Sequence, residues 1–152
     1  MALLRLGGLA LAMLWTGCGG GPPGSGMEDL RTRVVSMPNG EKIRAEVMVN
    51  PIDLQRGMMF RDQLPRGRGM LFIHPRAGAY PYFMYQVKIP LDIIFLDANR
   101  RVVEIAANVP PCKTRASECP TYGGHVLSQY VLELGGGEAQ RMGLEVGDTL
   151  SF

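Results

Sequence analysis

Apolar positions along this chain come in short runs set between dense turn-forming residues. Ile43, Ala45, Val47 and Val49 alternate with Arg44, Glu46 and Met48, the period-two pattern of a strand with one face inward. Val34-Val35 precedes that run, and Met37-Pro38-Asn39-Gly40 lies between the two. Asn-Gly is a strong two-residue hairpin signal because both positions tolerate positive φ, so a hairpin is expected here. Asn50-Pro51-Ile52-Asp53 predicts a helix start, with Asn50 as N-cap, Pro51 in the first turn and Asp53 favoured by the dipole. That helix should run from 51 to about 59. Residues 70–73 and 82–85 read as buried strands on either side of a turn region, 74–81. Residues 91–96 are almost wholly apolar, the signature of a central strand, and pair with 102–106 across Asp97-Ala98-Asn99-Arg100. Downstream, 126–134 reads as a strand, 138–142 as a short helix closed by Gly143, and 149–152 as a last strand after Gly147-Asp148. Seven or eight short strands with two short helices predict an α+β, mostly β domain, a compact barrel-like antiparallel sheet.

The first residues follow a different pattern. Arg5 supplies a positive charge, residues 6–15 an apolar stretch too short to span a bilayer, and Thr16-Gly17 places small residues before Cys18, the arrangement of an export signal. Small residues before a cysteine resemble the lipobox of bacterial lipoproteins, in which cleavage precedes the cysteine and the cysteine is acylated. The position three before Cys18 is Trp15 where such boxes usually carry Leu. The alternative is an ordinary secretory signal with an incidental cysteine. Gly19-Gly20-Gly21-Pro22-Pro23-Gly24-Ser25-Gly26 has nothing to bury and reads as a flexible tether. The expected organisation is a signal over 1–17, a lipidated Cys18 with its tether over 18–32, and one globular domain over 33–152. Membrane attachment through Cys18, at an outer membrane and facing the periplasm, follows from that reading, since Gly19 is not the Asp that favours inner-membrane retention.

Composition narrows the function classes. The net charge is +2, and +1 without the segment bearing Arg5, so no electrostatic case for a nucleic-acid partner arises. Gly and Pro make up about a fifth of the residues, above the usual share of about 12%, and they cluster in the tether and over 107–124. With Cys18 lipidated, Cys112 and Cys119 remain as an even pair in an oxidising compartment. Their spacing matches neither a CxxC zinc pattern nor a thioredoxin-like one. A disulfide, free or redox-active thiols, and a metal site are the readings open at this point, with the disulfide preferred.

Four blocks act together: Gly57-Met58-Met59-Phe60-Arg61; Gly69-Met70-Leu71-Phe72; Phe83-Met84 followed by Pro90-Leu91-Asp92-Ile93-Ile94-Phe95; and Tyr130 through Gly137. As a set they resemble the bacterial and archaeal family catalogued as domain of unknown function 192, over roughly 33–152. The resemblance implies the fold and extent of the domain and carries no established activity. It also implies a recurring cysteine near Cys119 ahead of a tyrosine like Tyr122. Where relatives often have Trp, Met, Lys, Asn and Thr, this chain has Phe83, Met84, Tyr85, Gln86 and Val87, so a polar site in that segment would be altered here.

Candidate chemistry lies in polar residues embedded in apolar strands, because an unpaired buried charge costs several kcal/mol. Asp92 between Leu91 and Ile93, Arg61 after Met58-Met59-Phe60, and Glu133 between Leu132 and Leu134 are those residues. An Arg61–Asp92 ion pair is one expectation. In a functional reading Arg61, Asp92 and Glu133, with Met84 and Tyr122, line a pocket. In the structural reading, which is preferred, each charge braces a strand end. Met58, Met59, Met70 and Met84 with His74 raise Cu(I) ligation as a minor alternative to ordinary core filling. Only His74 and His125 are available as imidazoles, and neither a cofactor nor a resident metal is expected. Gly135-Gly136-Gly137 before a helix could cradle an anion, although a plain strand-to-helix turn is the simpler reading. The expected role is a binding or assembly module of the cell envelope with an unknown ligand or protein partner; the alternative is an enzyme of undefined reaction using Asp92, Arg61 and Glu133.

Overall fold

The computed structural model describes residues 31–152; the expected signal, the lipidation expected at Cys18 and the expected tether up to residue 30 lie outside the described residues. Strands β1 (Thr32–Ser36) and β2 (Lys42–Met48) form the first hairpin, with Val35 opposite Ile43. Its turn differs from the expected two-residue type. Gly40 has φ +87° while Asn39 keeps a negative φ, and Gly40 N–H donates to Met37 O at 3.0 Å, so Pro38, Asn39 and Gly40 form a three-residue loop ending in a left-handed glycine. Proline fixes Pro38 at negative φ, which a type I turn accepts and a type I′ turn does not.

Helix α1 (Pro51–Arg56) begins as the sequence predicts, with Asn50 Oδ1 accepting from Asp53 N–H at 2.9 Å. It stops three residues early because Gly57 takes φ +42° and closes the last turn. The chain then enters β3 (Arg68–Gly78), which pairs parallel with β2. This corrects the wholly antiparallel sheet: a strand, α1 and a parallel strand form a crossover, as parallel neighbours require. Strands β4 (Tyr82–Phe83), β5 (Leu91–Leu96), β6 (Val102–Val109), β7 (Thr121–Tyr122) and β8 (Ser128–Gly135) and helix α2 (Glu138–Arg141) complete the described elements. Six strands make one sheet in the order β1-β2-β3-β8-β5-β6, and β4 pairs with β7 beside it. The domain is α+β and mostly β, as expected, with a mixed sheet.

The sheet does not close into a barrel. The segment expected as a last strand instead bridges both sheet edges at one end, through Ser151 to Ser36 and Thr149 to Arg101. Both faces of the sheet are covered, which explains why every residue of β5 is buried. Val35, Ile43, Leu71, Ile94, Leu96, Leu132 and Leu134 face a core closed by Met142, Leu144 and Leu150. Met70, Phe72, Ile93, Phe95 and Val131 face a second core closed by Met58, Met84 and Val87. Strand alternation therefore sends Asp92 and Glu133 to opposite faces, since Asp92 pairs with Leu134 and Ile93 with Glu133.

Cys112 and Cys119 form a disulfide with a Cα–Cα separation of 5.7 Å. Cys112 N–H donates to Met84 O at 3.2 Å, and the loop leads into β7, whose Tyr122 lies opposite Tyr82. The bridge thus anchors the strand that holds β4 in place. In the chain-entropy account a loop this short contributes about 2–3 kcal/mol. Replacing both cysteines by serine is expected to lower unfolding stability in urea by about that amount, and unchanged stability would show that the loop is held by other contacts.

Candidate functional site

Two buried carboxylates, one on each face of the sheet, have opposite surroundings. Asp92 is fully buried and its oxygens are saturated. Oδ1 accepts from Asn108 N–H at 2.6 Å and Gly137 N–H at 3.0 Å, and Oδ2 accepts from Ala139 N–H at 2.7 Å. Two of these donors belong to the cap and first turn of α2, where the N–H groups lack intrahelical partners. The anion at the Gly135-Gly136-Gly137 turn is the protein's own Asp92. The turn is closely packed at Gly136, where a Cβ would stand 2.5 Å from Asn108 Oδ1 and 3.0 Å from Pro90 Cβ. The expected Arg61–Asp92 pair is replaced accordingly. Arg61 grips Glu46 on β2 in a bidentate contact of 2.6 and 2.8 Å, and that guanidinium holds the Glu46 carboxyl below its usual range.

Glu133 is the contrasting case. It is 6% exposed, lies across the sheet from Met70 and Ile93, and its Oε2 is buried without a hydrogen-bond partner among the described residues. Burial pushes its pKa up to about 8, with the charge of Arg61 acting the other way, so the site favours the protonated carboxyl.

Glu133 opens onto a cavity of about 190 Å³ between α1, β3 and β4. Its walls include Met58, Phe72, His74, Tyr80, Tyr82 and Phe83. The sequence builds these walls by three local devices. Gly57, at positive φ, lets the chain pass close over the site: a Cβ there would lie 2.9 Å from Phe72 Cζ and 3.8 Å from Glu133 Oε2. The register of β3 against β8 slips between Ile73 and Gly78, and such an irregularity re-aims side chains. The ring of His74 consequently stacks on Tyr80 at 3.6 Å with 6° between planes, while one hydrogen bond of 3.1 Å joins His74 Nε2 to Tyr82 Oη. Third, Tyr82 packs edge-on against Phe72 at 5.2 Å and Phe95 at 5.7 Å, which fixes its ring between core and cavity.

Apart from the Arg56 guanidinium, which also lines the cavity, burial favours the neutral forms of Glu133, His74 and Tyr82. Burial lowers the His74 pKa, favouring free imidazole. Burial, then the Glu133 charge, raises that of the Tyr82 phenol. On the rim, the guanidinium of Arg56 lies 6.0 Å from the Phe60 ring centroid. Phe60 and Gln86 both adopt positive φ, 66° and 58°, and Phe60 N–H donates to Gln86 O at 3.0 Å. This linked pair ties the segment after α1 to the segment after β4, two of the cavity's walls. Bulky residues pay a steric cost in that region.

Of the five expected pocket residues, only Glu133 lines this cavity. Asp92 is a brace on the other face. Arg61 lines a separate, more polar cavity of about 320 Å³ with Glu46 and Asp53. Met84 is 1% exposed and packs in the second core, beside Met58 and Met70, so these methionines fill space as thioethers commonly do. Tyr122 supports the site from behind by pairing with Tyr82. The residues that sequence reasoning missed are Gly57, Phe72, Tyr80 and Tyr82 as walls and His74 as an aromatic partner. The available signal was the density of aromatic and imidazole side chains in His74-Pro75-Arg76-Ala77-Gly78-Ala79-Tyr80-Pro81-Tyr82-Phe83, a segment read as a turn over 74–81 followed by a buried strand from 82.

No curated protein matches this chain. Two solved structures share its architecture. One is a protein of unknown function from Novosphingobium aromaticivorans DSM 12444, 32% identical, with a TM-score of 0.70 over 78% of this chain and 82% of that one. The other, from Sinorhizobium meliloti 1021, bears a name proposing a transcription regulator; it is 26% identical, with a TM-score of 0.68 over 78% of this chain and 89% of that one. The family model for DUF192, described as Uncharacterized ACR, matches residues 34–152, nearly all of the globular domain with its Gly57, Asp92 and Glu133 blocks, and the chain belongs to that family.

Proposed function

We propose that this protein is a ligand-binding module of the cell envelope, tethered to a membrane through an acylated Cys18, which takes a small and largely apolar ligand into the Glu133 cavity. The observation that carries the reading is a buried carboxyl oxygen without a partner among the described residues, on a residue that lines an aromatic cavity. A polar group in that state costs about 1–3 kcal/mol or more, and such exceptions are explained by function more readily than by folding. Mostly apolar walls with a few convergent polar groups are the usual makeup of a small-molecule site, and at about 190 Å³ this one lies below the roughly 300–1,000 Å³ that drug-sized ligands occupy. Binding is favoured over two-carboxylate catalysis because Asp92 is committed to backbone amides on the far face. The near-balanced charge supports a ligand other than nucleic acid.

Two experiments test this reading. Neutral aromatic fragments such as benzyl alcohol, titrated into the protein and followed by amide NMR, are expected to shift resonances around Gly57, Phe72, His74, Tyr82 and Glu133. Absence of any response there would refute the site. For the tether, Cys18→Ala is expected to move the protein from the membrane to the soluble fraction of the producing cell, and continued membrane association would refute lipid anchoring.

A further inference from the structure

We infer that the ligand of the Glu133 cavity is an organic amine bound as its ammonium ion, with an apolar body lying among Phe72, Tyr80, Tyr82 and Phe83; this rests on the cavity being a binding site. Oε2 of Glu133 is buried with no hydrogen-bond partner among the described residues, and on ionising it becomes an acceptor that the protein leaves unsatisfied. Aromatic rings line the same space, and their faces attract cations, most strongly once water is excluded. An ammonium group satisfies both features at once, forming a charge-assisted hydrogen bond to the carboxylate while its carbon frame covers the rings.

The charged and titratable groups around the site permit this. From α1 and the turn after it, Arg56 also lines the cavity with its guanidinium 6.0 Å from the Phe60 ring centroid, and Arg61 is held by both oxygens of Glu46 while its charge still favours the ionised form of Glu133. From β3 and β4, His74 and Tyr82 hydrogen-bond each other, and Tyr80 Oη donates to Arg76 O at 2.8 Å. A neutral alcohol would fill the same volume without a charge to pair with the ionised carboxylate.

The proton balance is explicit. Burial favours the protonated acid of Glu133 in the free protein, while a simple amine in bulk water is already the ammonium ion. Binding pairs carboxylate with ammonium, and the proton that leaves Glu133 passes to the buffer.

Benzylamine and benzyl alcohol are the probes, compared by calorimetry at pH 7 in two buffers of different ionisation enthalpy. Benzylamine is expected to bind about tenfold or more tightly than the alcohol, and to release a proton. In the near-isosteric Glu133→Gln variant both the preference and the proton release should disappear. Equal affinity of the two probes for the unmodified protein would overturn the amine inference while leaving the cavity reading in place. An amine preference that survives in Glu133→Gln would also overturn it, because another group would then be reading the charge. Failure of both probes to bind would overturn the cavity reading and this inference with it. The comparison on the unmodified protein decides the matter even if the variant folds poorly.

Discussion

Asp92→Asn is expected to be among the most destabilising single substitutions in this domain, lowering unfolding stability by about 3–5 kcal/mol and the midpoint of thermal unfolding by on the order of 10 °C. The reason is local. The two carboxylate oxygens accept three backbone N–H groups, from Asn108, Gly137 and Ala139. An amide retains one oxygen, which can serve the first two, but its NH₂ group then faces the Ala139 N–H, donor against donor. Hydrogen bonds to a charged acceptor contribute about 1.5–3 kcal/mol each, and an orphaned buried donor costs a further 1–3. Loss should extend beyond α2, because Asn108 sits at φ +49° at the end of β6 and depends on the same carboxylate. Thermal unfolding followed by circular dichroism is the measurement; a change below about 1 kcal/mol, the usual range of surface substitutions, would show that Asp92 is not the brace described.

Glu133→Gln should act in the opposite direction, and its sign depends on pH. The folded carboxyl holds its proton up to about 8, against an ordinary value of 4.5. Between those values the unfolded chain has already released the proton that the folded chain retains, so raising the pH across the interval favours unfolding. The decline is about 1.4 kcal/mol per pH unit at most, and it levels off above the folded value. Glutamine has no such proton. The variant should be close to the parent at pH 5 and clearly more stable at pH 9, with the difference growing by on the order of 3 kcal/mol between them. Urea unfolding at the two pH values is the check, and parallel pH profiles for the two proteins would contradict the assignment. Stabilisation combined with loss of ligand binding is the expected signature of a residue retained for function at a cost in stability.

The sequence made the frame of this domain legible wherever one local rule dominated. Asn50-Pro51 fixed the start of α1, the apolar run of β5 predicted a central strand, and the even pair Cys112 and Cys119, in a chain read as exported, pointed to a disulfide. Legibility ended where two segments distant in the chain had to be placed together. Nothing local distinguishes a parallel β2–β3 pair from an antiparallel one, because period-two alternation is the same in both. Asp92 and Glu133 looked equivalent, each one polar residue between apolar neighbours, yet the register of β5 against β8 sends them to opposite cores. That register is a tertiary property. The braced and the unbraced carboxylate are separated by the amides brought to Asp92 from Asn108 and α2, which are 16 to 47 residues away. The aromatic cavity was hidden for a related reason: residues 74–81 have turn composition, and only the irregularity in β3 brings His74 and Tyr80 beside Tyr82.

A cavity built around an unsatisfied carboxyl is the centre of this account, and the titration of that one group tests it most directly. With the glutamate side chains labelled at the carboxyl carbon and Glu133→Gln used to assign the resonance, Glu133 in the ligand-free protein should be half-protonated near pH 8. A midpoint at or below the ordinary carboxylate value of 4.5 would mean that the group is already hydrated or paired, and would contradict the site.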